Sequence, residues 1–341
     1  MSFAQTEYIA PVSEKWFNSH AKKFNRKKID EYLLHSPRLS PATLTQYRSC
    51  LRIFAYWIYK YCGNKKIIDL KIRDGKAYQD WLVDHNGSST NINVKLAAAS
   101  ELCEYIEKYY EDEYPLFRNP IRKGRERVVK TARKEKHPLE PDEVAHLLQV
   151  LHERGQYQRE CYLALSYQTA CRRAESAQFK RLITDYTDRD AEYFEYEGER
   201  HKYYLSNSIR CKGPGRQGKV RQFKLSVETL GYIKQWDDQR RYLVAKKELR
   251  DDADGLFVHI DSRGVKNLTP AAFAYWCEGF GDIVGRKLHP HDLRTSRATN
   301  LVVYQKKPLS AVSVMMGHKS EETTKVYYVI TNDRDSDAAL L

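Results

Sequence analysis

The 341-residue sequence predicts a mainly α-helical protein with a small antiparallel β-sheet, divided into a helical first domain and a mixed α/β second domain. Apolar residues recur at helical spacing in the first third, and aromatic and polar residues alternate between positions 191 and 225. A cluster of basic residues separates these two regions. We therefore predict a first domain over residues 1–117, a linker over 118–137, a second domain over 138–330 and a tail over 331–341.

In the first domain, the clearest helix begins at Ser40, which is followed by a proline, a pair that is favoured at a helix N-terminus. Apolar residues follow at steps of three and four from Leu44 to Ile58. Further helices are predicted over residues 70–85 and 90–110. This domain is therefore expected to consist of amphipathic helices whose exposed faces carry Lys and Arg.

In the second domain, residues 139–148 combine leucines with acidic residues at the start, which is typical of a helix N-terminus. The alternating stretch from 191 to 225 contains glycine-rich breaks and favours strands joined by hairpins. Lys212 falls at one of these turns. An apolar helix is predicted around Phe273, and most of the remaining domain is expected to be helical.

The charge of the chain points to a polyanionic partner. Its 58 Lys and Arg exceed its 45 Asp and Glu and give a formal net charge of +13. Positions 118–137 alone hold nine basic residues and two glutamates. This clustering favours a cationic segment that crosses nucleic acid over general attraction to acidic surfaces. The alternative interpretation is a solvated tether that remains disordered in the free protein.

Cysteine usage and hydropathy limit where the protein acts. The seven cysteines show no CxxC pair or metal-ligand spacing, and several lie in apolar helical segments, as expected of reduced packing thiols. Residues 1–12 lack the pattern of a signal peptide, and no apolar run approaches the roughly 18 residues needed to span a bilayer. We expect a cytoplasmic protein that requires no metal or other cofactor and does not insert into a membrane.

The polar residues of the second domain form a distinctive ordered set. A lone His-x-x-Arg motif is usually an exposed helical face, and a single tyrosine means little among the 25 in this chain. The combination of several motifs in one order is far more specific than any of them alone. The order is an Arg, a Lys before a glycine-rich turn, a His-x-x-Arg pair, a Gly-His pair and a tyrosine nine residues after that histidine. These residues are Arg172, Lys212, His291, Arg294, His318 and Tyr327.

These residue types suit in-line displacement at a phosphodiester. Guanidinium groups grip two phosphate oxygens at once and neutralise the charge that develops on them. A phenolate is a competent nucleophile, and the phosphotyrosine ester conserves the energy of the broken bond. A lysine at a turn can protonate the departing sugar oxygen, and histidines can orient phosphate oxygens and relay protons.

The same set, in this order, resembles the active site of the tyrosine recombinases, also called the phage integrase family. The resemblance extends from about residue 139 to 330 and implies a catalytic second domain preceded by a helical core-binding domain that clamps DNA. It implies that Tyr327 attacks and that Glu175 is a supporting carboxylate. It assigns assisting roles to Arg172, Lys212, His291, Arg294 and His318.

By this resemblance, the chain is expected to be a site-specific DNA recombinase that cleaves and rejoins double-stranded DNA through a 3′-phosphotyrosyl intermediate. Two protomers would bind each site and four would assemble two sites. Binding would depend largely on phosphate contacts. The candidate phosphate-contacting residues are Arg48, Arg52, Lys95, Arg122, Lys123, Arg125, Arg127, Lys130, Arg133 and Lys134.

Several alternatives stay open at this level. Tyr328 is adjacent to Tyr327, and Lys219 lies in the same predicted hairpin as Lys212. We prefer Tyr327 because of its spacing from two preceding threonines, and Lys212 because the family lysine precedes the glycine turn. The alternative functions are a type IB topoisomerase-like nicking and closing enzyme, an inert DNA-binding relative, and an unrelated basic scaffold or RNA-binding protein.

The chain also departs from the family pattern before the first arginine. Where the family usually has Gly-Leu, this sequence has Ala170-Cys171, and Arg173 stands where the family has a small or apolar residue. We therefore expect the turn before Arg172 to be built differently. None of the departures replaces a predicted catalytic group.

Overall fold

A computed structural model describes residues 9–85, 88–124, 126, 137–213, 218–318 and 320–327. For residues 326 and 327 it describes the backbone alone. The described residues divide into two compact units, the first within residues 1–134 together with Gly213 and Gly218, and the second within residues 135–212 and 219–327. Among the described residues, no helix is both long enough and apolar enough to cross a membrane.

In its described residues, the first unit contains six α-helices. They are α1 (Glu14–His20), α2 (Lys23–Leu34), α3 (Pro41–Tyr61), α4 (Ile72–His85), α5 (Ser89–Tyr109) and α6 (Pro120–Gly124). The three longer helices predicted from apolar spacing correspond to α3, α4 and α5. Neither α1 nor α2 was predicted. Helix α2 is rich in charged residues, and its apolar residues follow helical spacing only weakly.

Local sequence explains how these helices begin and pack. The Ser40 hydroxyl accepts a hydrogen bond from the Thr43 backbone N–H at 3.2 Å and thereby caps α3. Phe54 and Ile58 on α3 are fully buried, as is Tyr78 on α4. The core of the first unit therefore lies where the apolar faces of the helices meet.

The start of the predicted linker belongs to the first unit. Residues 120–124 form α6, whose Ile121 is buried, and the Asn119 side chain accepts hydrogen bonds from the first backbone N–H groups of this helix. Gly75 permits its close packing on α4, because a Cβ there would lie 2.2 Å from the Pro120 carbonyl oxygen. The many basic residues of this stretch predicted a linker, whereas residues 120–124 form a short packed helix.

The second unit is mixed. Its described helices are α7 (Pro141–Glu153), α8 (Tyr157–Thr169), α9 (Arg173–Ser176), α10 (Val227–Lys246), α11 (Pro270–Val284), α12 (Pro290–Thr299), α13 (Leu309–Met316) and α14 (Glu321–Tyr327). Its described strands are β1 (Ala191–Tyr196), β2 (Glu199–Leu205), β3 (Ile209–Cys211), β4 (Lys219–Arg221), β5 (Lys224–Ser226), β6 (Val258–Asp261) and β7 (Gly264–Asn267).

All of the described strands pair antiparallel, as predicted, but in three small sheets. The largest has the order β1-β2-β5, and the other two are the hairpins β3-β4 and β6-β7. The single predicted sheet is therefore divided. In the β3-β4 hairpin Ile209 pairs with Arg221 and Cys211 pairs with Lys219, so Lys212 follows the end of β3.

The main core of the second unit surrounds α8, whose Tyr162 stacks on Phe273 of α11 with ring centroids 4.4 Å apart. A smaller cluster, formed by Ala170, Ala298, Leu301, Val312 and Met316, joins the end of α8 to α12 and α13. Because such interiors are closely packed, these contacts hold the ends of the three helices in a defined arrangement. Of the predicted catalytic residues, Arg172 follows the end of α8, His318 follows the end of α13, and His291 and Arg294 lie on α12.

Candidate active site

Arg172 immediately precedes α9 and is held there by Glu175. The Arg172 backbone N–H donates to Glu175 Oε2 at 2.7 Å, and its Nη1 donates to Oε1 at 3.0 Å. Glu175 is buried, which alone would raise its pKa, but the Arg172 backbone hydrogen bond and the charges of Arg172 and Arg221 give a net lowering of the pKa. The Arg172 side chain remains 28% exposed, so this guanidinium is both oriented and accessible.

Arg294 lies on α12, three residues after the exposed His291, and is fully buried. Its guanidinium donates to the Ala170 carbonyl at the end of α8 and, at 2.7 Å, to the Met316 carbonyl at the end of α13. This arginine therefore joins the ends of two other helices. A buried cation must be compensated by such hydrogen bonds, because the desolvation of a charge is costly.

Ala170 explains how the chain replaces the usual glycine. Its φ of 49° lies in the left-handed region, which favours glycine, and it ends α8 with the carbonyl directed to Arg294. The turn before Arg172 is therefore formed by an alanine in a glycine-like conformation. Packing of the fully buried Ala170 methyl in the small cluster accompanies the backbone strain, and a difference from the turn of other family members stays a prediction.

His318 connects Arg294 to α14. Arg294 Nη2 donates to His318 Nε2 at 2.9 Å, and His318 Nδ1 lies 2.8 Å from the Thr324 hydroxyl. Because the guanidinium can only donate, Nε2 is the acceptor, and a neutral ring then carries its proton on Nδ1 and donates it to Thr324. Burial, followed by the charges of Arg294, Arg172, Arg221 and His291, lowers the pKa of His318 to about 4.

This lowered pKa predicts a pH-dependent contribution to stability. The ordinary histidine pKa near 6.5 applies in the unfolded chain, so between about pH 6.5 and pH 4 the unfolded state binds more protons and stability falls as the pH falls. We expect the free energy of unfolding of the wild type to decrease more steeply across this interval than that of His318→Gln. Urea unfolding at several pH values measures both, and equal pH dependence would contradict the prediction.

Helix α14 carries the predicted nucleophile. Thr324 is fully buried and lies three residues before Tyr327, about one helical turn. Arg172, Glu175, Arg294 and His318 are called the arginine cluster below. The hydrogen bond between Thr324 and His318 therefore attaches this helix to the arginine cluster. The side chain of Tyr327 and the whole of Tyr328 lie outside the described parts of the structure, so the choice between them remains a prediction.

Lys212 is exposed and, among the described residues, has no hydrogen bond or ion pair to the arginine cluster. Its neighbour Cys211 is buried and lies beside Glu175 and Arg221. Burial and the negative charge of Glu175 raise the pKa of this thiol. The base of the hairpin is thus close to the cluster, whereas the structure does not bring the Lys212 side chain into it.

Arg221 was missed by the sequence reasoning. Its Nη1 donates to the Met315 carbonyl at 2.9 Å, and its Nη2 lies 3.9 Å from Glu175 Oε2. The nearest signal in the sequence is its place nine residues after Lys212 in the same hairpin, but a single arginine in a basic chain predicts nothing by itself. The structure adds a third arginine to the cluster.

The predicted DNA-contacting residues differ in their surroundings. Arg48 and Lys123 are exposed, Arg52 pairs with Glu14 at 2.8 Å, and Arg122 pairs with Glu107 at 3.1 Å. The prediction for Lys95 was wrong, because its side chain is buried on α5 and its ammonium donates to Asn91. Burial lowers the Lys95 pKa. The others, Arg125, Arg127, Lys130, Arg133 and Lys134, lie outside the described residues.

Known proteins share this sequence pattern and fold. A model of the phage integrase family matches residues 137–334. The SPbeta prophage-derived recombinase-like protein YomM of Bacillus subtilis (strain 168) is 28% identical over 318 residues, which cover 92% of this chain and 89% of the relative.

Two solved structures resemble the chain along most of its length. XerH site-specific recombinase, bound to a palindromic difH substrate in a post-cleavage complex, has a TM-score of 0.61 at 16% identity and covers 99% of each chain. A lambda integrase dimer bound to a COC′ core site has a TM-score of 0.56 at 14% identity over 87% of this chain and 95% of the other. Since the family match spans more than half of the sequence, the chain belongs to the phage integrase family and is a tyrosine recombinase.

Proposed function

We propose that this recombinase cleaves one strand of double-stranded DNA at a specific site with Tyr327 and rejoins it to a partner strand. The observation that carries the proposal is the position of His318, which contacts Arg294 on one side and the helix that ends at Tyr327 on the other. The phosphate-binding groups and the nucleophile-bearing helix are thereby joined by one side chain. This arrangement suits displacement at a phosphodiester.

In the proposed reaction, the Tyr327 phenolate oxygen attacks the scissile phosphorus and the bond from phosphorus to the 5′ oxygen breaks. The products are a 3′-phosphotyrosyl bond and a 5′-hydroxyl, whose oxygen takes its proton from Lys212. Attack by the 5′-hydroxyl of a partner strand reverses these steps and releases the tyrosine. The number of phosphodiester bonds is unchanged, so no external energy source is consumed.

The arginines act on the charge of the transition state. Arg172, oriented by Glu175, and Arg294 donate to the non-bridging oxygens, where negative charge increases during the displacement. Such preorganised donors are each worth about 3 kcal/mol in the transition state. His291 contributes a hydrogen bond to the same oxygens, and His318 assists by holding Arg294 and the helix that ends at Tyr327.

The proposal extends to assembly and location. Two protomers bind one site and four protomers join two sites, in keeping with the strand exchange described above. The exposed cations Arg48 and Lys123 of the first unit contact the phosphate backbone, so DNA affinity decreases steeply as salt concentration rises. The protein acts in the cytoplasm, in association with the nucleoid, or in the cytoplasm of its host if it is viral or plasmid-borne.

The test is covalent trapping without added metal. Purified protein is incubated with fragmented DNA from its own genomic neighbourhood, denatured, and the DNA that remains attached is sequenced. We expect attachment at one discrete site through a 3′ phosphate. An absence of any adduct would instead favour a DNA-binding or RNA-binding protein without strand-cleaving activity.

A second assay separates recombination from simple nicking and closing. A supercoiled plasmid with two copies of the trapped site should yield recombinant products whose topology depends on the orientation of the copies. Relaxation of the plasmid without any recombinant product would identify the topoisomerase-like alternative.

A further inference from the structure

Arg221 occupies the inner face of the β3-β4 hairpin. It pairs with Ile209, which is buried, whereas the next pair, Arg210 and Val220, is exposed. The following inward residue is Cys211, which pairs with Lys219 and directly precedes Lys212. Arg221 thus lies two pairs from the strand end at which Lys212 follows Cys211, on the same face as Cys211 and beside its thiol.

The contacts of Arg221 reach beyond the hairpin. Its guanidinium carbon lies 4.0 Å from the centroid of the Phe223 ring, which holds the planar group in place. Its Nη1 donates to the Met315 carbonyl at 2.9 Å, and its Nη2 lies 3.9 Å from Glu175. One side chain thus joins the hairpin, the C-terminal end of α13 and the carboxylate that orients Arg172.

Gly317, in the turn that leads to His318, lies close to the Arg221 guanidinium. Gly317 has a φ of 68°, and a Cβ at this position would lie 2.8 Å from Arg221 Nη1. The left-handed backbone favours glycine here, and a larger residue would have to displace the Arg221 guanidinium. The hairpin and the turn before His318 are therefore packed against each other through Arg221.

We propose that Arg221 is a positioning residue that joins the hairpin carrying Lys212 to the cluster of Arg172, Glu175, Arg294 and His318. This inference rests on the proposed function, in which Lys212 protonates the leaving 5′ oxygen. Proton transfer requires the donor within hydrogen-bonding distance of that oxygen, and a displacement of about 1 Å can cost about 10²-fold in rate. Arg221 sets this distance without contacting the DNA.

The role predicts a specific chemical signature. A substrate with sulfur in place of the 5′ bridging oxygen releases a thiolate, which departs without protonation because a thiol is far more acidic than an alcohol. If a variant fails only to deliver the proton, its cleavage rate on the sulfur substrate returns towards the wild-type rate. If a variant fails to bind the phosphate, its cleavage rate stays low on both substrates. The Lys212→Ala variant defines the pattern expected for a lost proton donor.

The experiment measures single-turnover adduct formation by the full-length protein at saturating DNA. The substrates are matched oxygen and sulfur forms of the trapped site. Arg221→Gln and Arg221→Lys are compared with wild type, Lys212→Ala and the control Arg210→Gln on the exposed face of the same hairpin. We expect both Arg221 variants to lose about 10–100-fold on the oxygen substrate and to return to within about threefold of wild type on the sulfur substrate.

Other results would overturn the inference. Equal losses on both substrates would assign Arg221 to phosphate binding or to the fold, and thermal unfolding of the variants separates these two. Unchanged rates on the oxygen substrate, or a similar loss in Arg210→Gln, would remove the positioning role. A wild type that forms no adduct with either substrate would refute the proposed function itself, whereas every other contrary result leaves that function intact.

Discussion

Replacing Tyr327 by phenylalanine should abolish covalent attachment to DNA, with a loss of at least about 10³-fold in the rate of adduct formation. The substitution removes only the phenolic oxygen that would form the bond to phosphorus. The contact that attaches α14 to the arginine cluster is made by Thr324 and His318, so it stays in place. Folding and DNA affinity should therefore be unchanged, and the defect should be confined to chemistry.

The adjacent tyrosine is the matched control for this prediction. Tyr328→Phe removes the same atom one position later and should form the adduct at nearly the wild-type rate. Denaturing gel electrophoresis of the protein with a labelled target duplex measures both variants. If the adduct disappears in Tyr328→Phe and persists in Tyr327→Phe, the nucleophile is Tyr328 and the spacing argument from the two threonines fails.

Replacing Arg172 by alanine should reduce the cleavage rate by about 10²–10³-fold at saturating DNA. The side chain is held by the buried Glu175 and is more than a quarter exposed, so it is oriented before substrate binds. Its hydrogen bonds strengthen as charge develops on the phosphate oxygens, and the loss therefore falls mainly on the rate. Arg172→Lys should remain impaired, because an ammonium lacks the planar fork of guanidinium.

Arg173 is the control for Arg172, because it is an exposed arginine at the next position. Arg173→Ala should keep the single-turnover rate within about threefold of wild type, whatever its effect on DNA affinity. Thermal unfolding of both alanine variants establishes whether Glu175, left without its main partner in Arg172→Ala, destabilises the fold. Equal rates for the two variants would contradict a role for Arg172 in the transition state.

Motif order was informative because it depends on chemistry rather than on packing. Arg172, Arg294 and His318 are far apart in the sequence, yet their residue types and order predicted one site. In the structure Arg294 donates to His318, and Arg172 is near enough for its charge to lower the His318 pKa. The helices α3, α4 and α5 were predictable for a different reason. Apolar residues at three- and four-residue steps mark the faces that must be removed from water.

Burial and close approach were less accessible to sequence reasoning. Lys95 was expected to be exposed, since an ammonium usually is, but its side chain is buried and lies beside Cys50 of α3. The left-handed conformation of Ala170 was not predicted, and it is accompanied by packing in the small cluster and by the hydrogen bond from Arg294. Both outcomes depend on atoms that are distant in sequence, which local patterns do not record.

Residue types in a fixed order were enough to predict the family and the mainly helical character, which are confirmed, and they also predict the residues of the active site. Three-dimensional contacts were needed to show that Arg294 joins the ends of α8 and α13, that His318 accepts from Arg294 while contacting Thr324, and that Arg221 enters the cluster. Hydrogen-bond direction and desolvation depend on neighbours in space that are distant in sequence. A basic residue joins this cluster only where the fold places acceptors beside it.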